Sequence, residues 1–175
     1  VLHFVRQALG TQTTPPNMVL VGLALFLTGF IMAPTLDAAY NQGVRPLLNG
    51  EIDEAQAFER IIEPFHGFMM RNVRAQDLEL FADMGNVEPG IAPEDMPLTS
   101  LVPAFIISEL RRAFEIGFLI YVPFIVIDMV IASVLMSMGM MMLPPIMLAL
   151  PFKLIFFVLV DGWYLLAGSL SQSFN

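Results

Sequence analysis

Three ionisable residues, Asp128, Lys153 and Asp161, stand in the apolar last third of this 175-residue chain, beside a methionine cluster that runs Met138-Gly139-Met140-Met141-Met142-Leu143-Pro144-Pro145. Acids and a lysine in apolar sequence have two chemical uses: static pairing inside protein, or a proton relay of the transporter kind. Methionine also has two. Flexible thioethers fill irregular cores, or, projected into the centre of a ring, they close a constriction that excludes water and ions. Three consecutive methionines at 100° per residue cannot all face one core, and Gly139, Pro144 and Pro145 mark a hairpin hinge beside them.

The cost of the charges is readable on an insertion scale. Residues 146–170 hold fourteen Leu, Ile, Val or Phe, worth roughly −6 kcal/mol at best, against about +5 to +7 for Lys153 and Asp161. Residues 116–143 hold a similar fourteen against Asp128 alone. The first half of the hairpin inserts on its own terms, whereas the second requires protein partners, and the ionisable groups must face protein or water. In a straight hairpin pivoting at Pro144-Pro145, Asp128 and Asp161 lie level and Lys153 falls roughly 12 Å nearer the tip. That geometry argues against an internal Asp128–Lys153 bridge and sends Lys153 to a carboxylate on another subunit or element, with Asp128 and Glu109 as candidates.

Other chemistries are poorly served. The chain has no cysteine, which removes disulfides and thiolate chemistry, and only His3 and His66 among histidines. There is no Gly-rich phosphate loop, no HExxH, no GxSxG and no His or carboxylate set at metal spacing, so no catalytic residue, cofactor or metal is expected. His66 reads as a surface or interface residue.

With 57% hydrophobic and 14% charged residues, against roughly 25% charged in soluble domains, the chain is an integral membrane or membrane-assembly protein. The net charge of −8 is concentrated between residues 51 and 95, which carry eleven acids and three bases. Such a block repels phosphates, which excludes nucleic acid as a partner. The few scattered bases leave orientation undetermined.

The elements that position these groups are helical throughout. Residues 18–36 are uncharged and nearly long enough to span a bilayer, after Pro15-Pro16-Asn17 as a start and with Gly29 and Pro34 expected to loosen the far end. A polar insert follows. Asp53-x-x-Gln56 resembles a capping box opening an amphipathic run, Pro64 and Gly67 are expected to separate it from a second run over 68–84, and residues 86–100 have loop composition. Helix is expected to restart near Pro103 and to run into 116–143, with a kink at Pro123. The expected organisation is residues 1–36, the end of one hydrophobic segment and a hydrophobic helix; 37–100, an acidic helical insert; and 101–175, a kinked hydrophobic hairpin with a Met-Pro-Pro tip.

Several strings resemble the FliP family of flagellar export-gate proteins and its SctR counterparts in injectisomes. They are Pro15-Pro16-Asn17 with the apolar run from Val19 to Thr28, Phe114-Glu115-Ile116-Gly117-Phe118, the run from Ile127 to Met136, Met140-Met141-Met142-x-Pro144-Pro145, Leu150-Pro151-Phe152-Lys153-Leu154, and Phe157-Val158-Leu159-Val160-Asp161-Gly162-Trp163. The resemblance covers nearly the whole chain and is weakest over 36–100. It implies a non-enzymatic, all-α protein of bent helical hairpins in a ring of five copies. Further implied partners are FliQ and FliR in the same gate, FlhA and FlhB beside it, and unfolded axial proteins passing through the centre. It further implies location in the bacterial inner membrane and flagellar basal body, with the insert on the periplasmic side and most apolar helices packed against subunits instead of lipid. By the same resemblance Met140, Met141 and Met142 match a pore gasket, and Glu109, Asp128, Lys153 and Asp161 match buried or intersubunit charges. Val1 to Gln7 resembles the end of a further hydrophobic segment ahead of this sequence. The rival readings are a proton-coupled transporter or ion-conducting subunit using Asp128, Lys153 and Asp161, and a purely structural membrane scaffold.

Overall fold

A computed structural model describes residues 1–88, 90–140 and 142–174. Among these the chain is helical without a strand: α1 (Leu2–Leu9), α2 (Asn17–Ala39), a π-helical turn (Tyr40–Val44), α3 (Arg45–Leu48), α4 (Glu54–Asn72), α5 (Ala75–Met84), a 3-10 turn (Pro93–Asp95), α6 (Leu98–Ser137), α7 (Pro145–Leu159) and α8 (Gly162–Gln172). Two stretches, Asn17–Leu48 and Leu98–Ser137, are long and apolar enough to cross a membrane. The pair α7 and α8 qualifies only jointly, bent by 60° at the break between them.

The chain forms two compact units, one of residues 1–28 with 113–175 and the other Gly29–Arg112. In the first, Val5, Ala8 and Leu9 of α1 pack with Phe124, Phe157 and Leu166 as a small buried core. Phe4 reaches Gly117 so closely that a Cβ there would stand 2.6 Å from its ring, a contact only glycine permits. The α1–α2 connection is tied down by Arg6, itself buried, which donates to Asn17 Oδ1 at 2.6 Å, to the Pro15 carbonyl at 3.3 Å and to His3 Nδ1 at 3.0 Å.

In the second unit the expected N-cap forms: Asp53 Oδ1 accepts from the Gln56 amide at 2.8 Å. Pro64 and Gly67 do not interrupt α4, which runs on to Asn72. An internal proline forfeits one backbone hydrogen bond. Here the loss is offset by packing on both sides of it, Ala57 buried against Gly43 of the π turn and Phe68 edge-on to Phe105 at 5.9 Å. The break falls instead at Val73 and Arg74, both extended. Pro34 likewise lies inside α2, and α6 starts at Leu98, ahead of Pro103, running continuously past Pro123.

Candidate functional site

The tip joining α6 to α7 follows from two local signals. Gly139 adopts φ 72°, its amide donates to the Met136 carbonyl at 3.1 Å, and the Met140 amide donates to the Leu135 carbonyl at 3.0 Å. This pair of bonds is a Schellman motif, which ends a helix with glycine in the left-handed region. At the other side Pro144 is the N-cap of α7 and Pro145 its first residue, where a missing N–H costs nothing. The connection between α6, which ends at Ser137, and α7, which begins at Pro145, therefore spans residue numbers 138–144. Met142 is 98% exposed, and Met138 and Met140 are also exposed. Met141, the middle residue of the expected gasket, lies outside the described residues.

This turn corrects the expected charge geometry. Lys153, only 4% exposed, meets Asp128 within the chain, Nζ to Oδ2 at 2.5 Å. The straight-hairpin estimate counted the turn as helix and placed the pivot at the prolines. Measured from the helix ends, Asp128 lies nine residues before Ser137 and Lys153 eight residues after Pro145, which is roughly 13 Å and 12 Å of helical rise. The two side chains are thus level. Asp128 Oδ1 is buried without a hydrogen-bond partner among the described residues.

Asp161 is separated from this pair. It occupies the break between α7 and α8 in a left-handed conformation, φ 52° and ψ 50°, which aspartate tolerates better than most residues. Its side chain is exposed and makes no capping bond. The bend depends on Gly162, where a Cβ would stand 2.2 Å from the Phe157 ring. Phe157 in turn meets Trp163 edge-on at 5.2 Å.

Glu109 belongs to the other unit, where its Oε1 faces Arg112 Nη1 at 2.9 Å one helical turn away. The residues around it form a polar joint that the sequence reading missed. Ser108, fully buried, accepts from the Arg74 amide at 3.1 Å and donates to Asp77 Oδ2 at 2.7 Å or to its own Ala104 carbonyl at 2.9 Å. It caps the start of α5 from a different helix. Arg112 donates to the Asn72 carbonyl at 3.3 Å, answering the open end of α4. The only hint in the sequence is polar residues at 108 and 112, one turn apart on a helix otherwise rich in apolar residues. His66, as a packing residue, meets the Met96 carbonyl at 2.8 Å.

No cluster among the described residues could hold a metal ion. The arrangement offers a short exposed methionine turn, a buried ion pair fixing the hairpin behind it, and a wide apolar surface. A family model described as the FliP family matches residues 1–170. Flagellar biosynthetic protein FliP of Bacillus subtilis is 55% identical over 99% of this chain and 79% of its own length. Its Caulobacter vibrioides namesake is 55% identical over the whole chain and 66% of its own length, and that of Rhizobium meliloti 54% identical over 97% and 70%.

Proposed function

The chain belongs to the FliP family, a non-enzymatic family of flagellar biosynthetic proteins, and from that membership we propose that it is a channel-forming subunit of the flagellar type III export gate. Five copies assemble with FliQ and FliR in the bacterial inner membrane at the flagellar basal body. FlhA and FlhB adjoin the gate, unfolded axial proteins pass through its centre, and the acidic insert lies on the periplasmic side. Met140, Met141 and Met142 close the pore when no substrate occupies it.

The observation that carries this reading is the exposed methionine turn set on a rigidly fixed hairpin. Met142 has almost no contact within its own chain, and thioethers so presented adapt to any passing sequence while excluding water. The apolar exterior supports assembly as well. Large side chains such as Phe26, Phe118, Met129 and Val158 are more than half exposed, far beyond what a soluble monomer shows. Glu109, Asp161 and the Asp128–Lys153 pair then lie at or beneath buried subunit contacts. A relay is less well supported, since Lys153 is committed to Asp128 and Asp161 stands apart at the helix break.

The test is co-expression of the full-length protein with FliQ and FliR, extraction in mild detergent and measurement of the intact mass. A multi-copy complex holding all three supports the gate. Replacing Met140, Met141 and Met142 together by alanine in that complex, reconstituted in planar bilayers, is expected to raise ion leak. A stable monomer that ignores both partners, or a closed pore unaffected by the triple substitution, overturns the proposal.

A further inference from the structure

The chain has thirteen methionines and no cysteine. With no thiol to compete, its thioethers are the side chains most open to a two-electron oxidant. Exposure then selects among them. Met142, at 98%, is the most exposed methionine among the described residues, and Met138 and Met140 stand exposed in the same turn. Other strongly exposed methionines lie on helices: Met18 on α2, Met129 on α6, Met147 on α7, and Met84 at the end of α5. On the gate reading, neighbouring subunits cover the apolar faces of α2, α6 and α7, whereas the turn projects into the path that water and substrate share.

The chemistry is a transfer of one oxygen atom. A lone pair on the Met142 sulfur attacks an oxygen of hydrogen peroxide, the S–O bond forms and the O–O bond breaks. The proton of the transferred hydroxyl passes to the departing hydroxide, which leaves as water. Sulfur is oxidised by two electrons and the peroxide is reduced. The sulfoxide is polar where the thioether was apolar, and reductases can return it to the thioether. A hydrophobic constriction closes because its walls hold no water. A sulfoxide oxygen accepts hydrogen bonds from water at that point, and every copy in a ring adds one at the same level.

We propose that Met142 is an oxidation site: a peroxide converts its thioether to the sulfoxide, which wets the methionine turn and lets ions through the closed gate until the sulfoxide is reduced. This rests on the reading of the turn as a pore gasket, and it gives that gasket a second, reversible chemical state.

The test treats the complex of the full-length protein with FliQ and FliR, reconstituted in planar bilayers, with hydrogen peroxide. Peptide mass spectrometry is expected to find one added oxygen on Met142, and the ion leak is expected to rise severalfold. Methionine sulfoxide reductases for both sulfoxide epimers, supplied with dithiothreitol, are expected to bring the leak back down. Met142→Leu, read against its own untreated leak, is expected to lose most of the rise, and Met84→Leu to keep it. Three results overturn the inference: Met142 left as the thioether while Met84 is oxidised, a Met142 sulfoxide without added leak, or a rise that Met142→Leu leaves undiminished. In each of these cases a complex that leaks when Met140, Met141 and Met142 are replaced by alanine keeps the gate reading standing. A triple variant that stays closed overturns both.

Discussion

Breaking the Asp128–Lys153 pair from either side is expected to cost unequal amounts. At 2.5 Å and an effective dielectric of 20, the attraction is about 6–7 kcal/mol, much of it offset by desolvation of the two groups. The Lys153 side chain is 6% exposed and that of Asp128 is 32% exposed. Asp128→Asn leaves the more deeply buried ammonium without its counter-charge and is expected to cost about 3–4 kcal/mol. Lys153→Met leaves a carboxylate whose Oδ1 is buried but whose side chain is still 32% exposed, and its cost is expected at about 1–2 kcal/mol. The double substitution removes both charges and is expected to cost no more than about 3 kcal/mol, a coupling of at least about 1–3 kcal/mol. The measurement is denaturant unfolding of the purified full-length protein in detergent, followed by fluorescence of Trp163. This is the only tryptophan in the chain, and it sits against Phe157, which follows Lys153 by four residues on α7. Costs that add to within about 0.5 kcal/mol, or a larger cost for Lys153→Met than for Asp128→Asn, would refute the pairing and return Lys153 to a partner outside the chain.

Two further predictions concern the Gly29–Arg112 unit. Ser108→Ala removes the acceptor of the Arg74 amide and the donor to Asp77, and is expected to destabilise that unit by about 1–3 kcal/mol. Hydrogen exchange at the start of α5 checks it: unchanged protection there means that Ser108 does not cap the helix. Gly43→Ala places a Cβ 2.4 Å from the Ile61 side chain and 3.0 Å from the Ala57 carbonyl, so α4 must shift away from the π turn. A loss of about 1–3 kcal/mol is expected, read as faster proteolysis between residues 45 and 60. A wild-type cleavage rate would show that the crossing has slack.

What the sequence made legible were the features settled by neighbouring residues. The Asp53 cap depends on a contact three residues away, and it forms as expected. The apolar, charge-poor runs are visible as helices because hydropathy and length suffice to see them. Proline and glycine were a poorer guide. Pro64 and Gly67 lie inside α4, because the burial of Ala57 and Phe68 on neighbouring turns outweighs the hydrogen bond that the proline forfeits, and that burial is invisible along the chain. Gly139 was the informative glycine, and its meaning came from the bonds it closes with Leu135 and Met136.

The same distinction explains why Lys153 was assigned to the wrong surroundings. Whether two residues on opposite arms of a hairpin meet depends on where each helix ends, and an error of a few residues in the turn slides one arm past the other by roughly 1.5 Å per residue. Pro144-Pro145 looks like a stop, yet proline is as much a starting residue as a breaking one, and here it opens α7. The α6 stop comes earlier, at the glycine. Once the connection is given residues 138–144, the ion pair is a consequence of register and fixes that register in return: a one-residue slip of α7 rotates Lys153 by about 100°, out of its buried position and away from Asp128. A pair that is costly to bury thus helps to specify how the two arms align, which holds the methionine turn at a defined place at the end of the hairpin. A lipid anchor has no need of such a register, whereas a constriction assembled from several identical turns does.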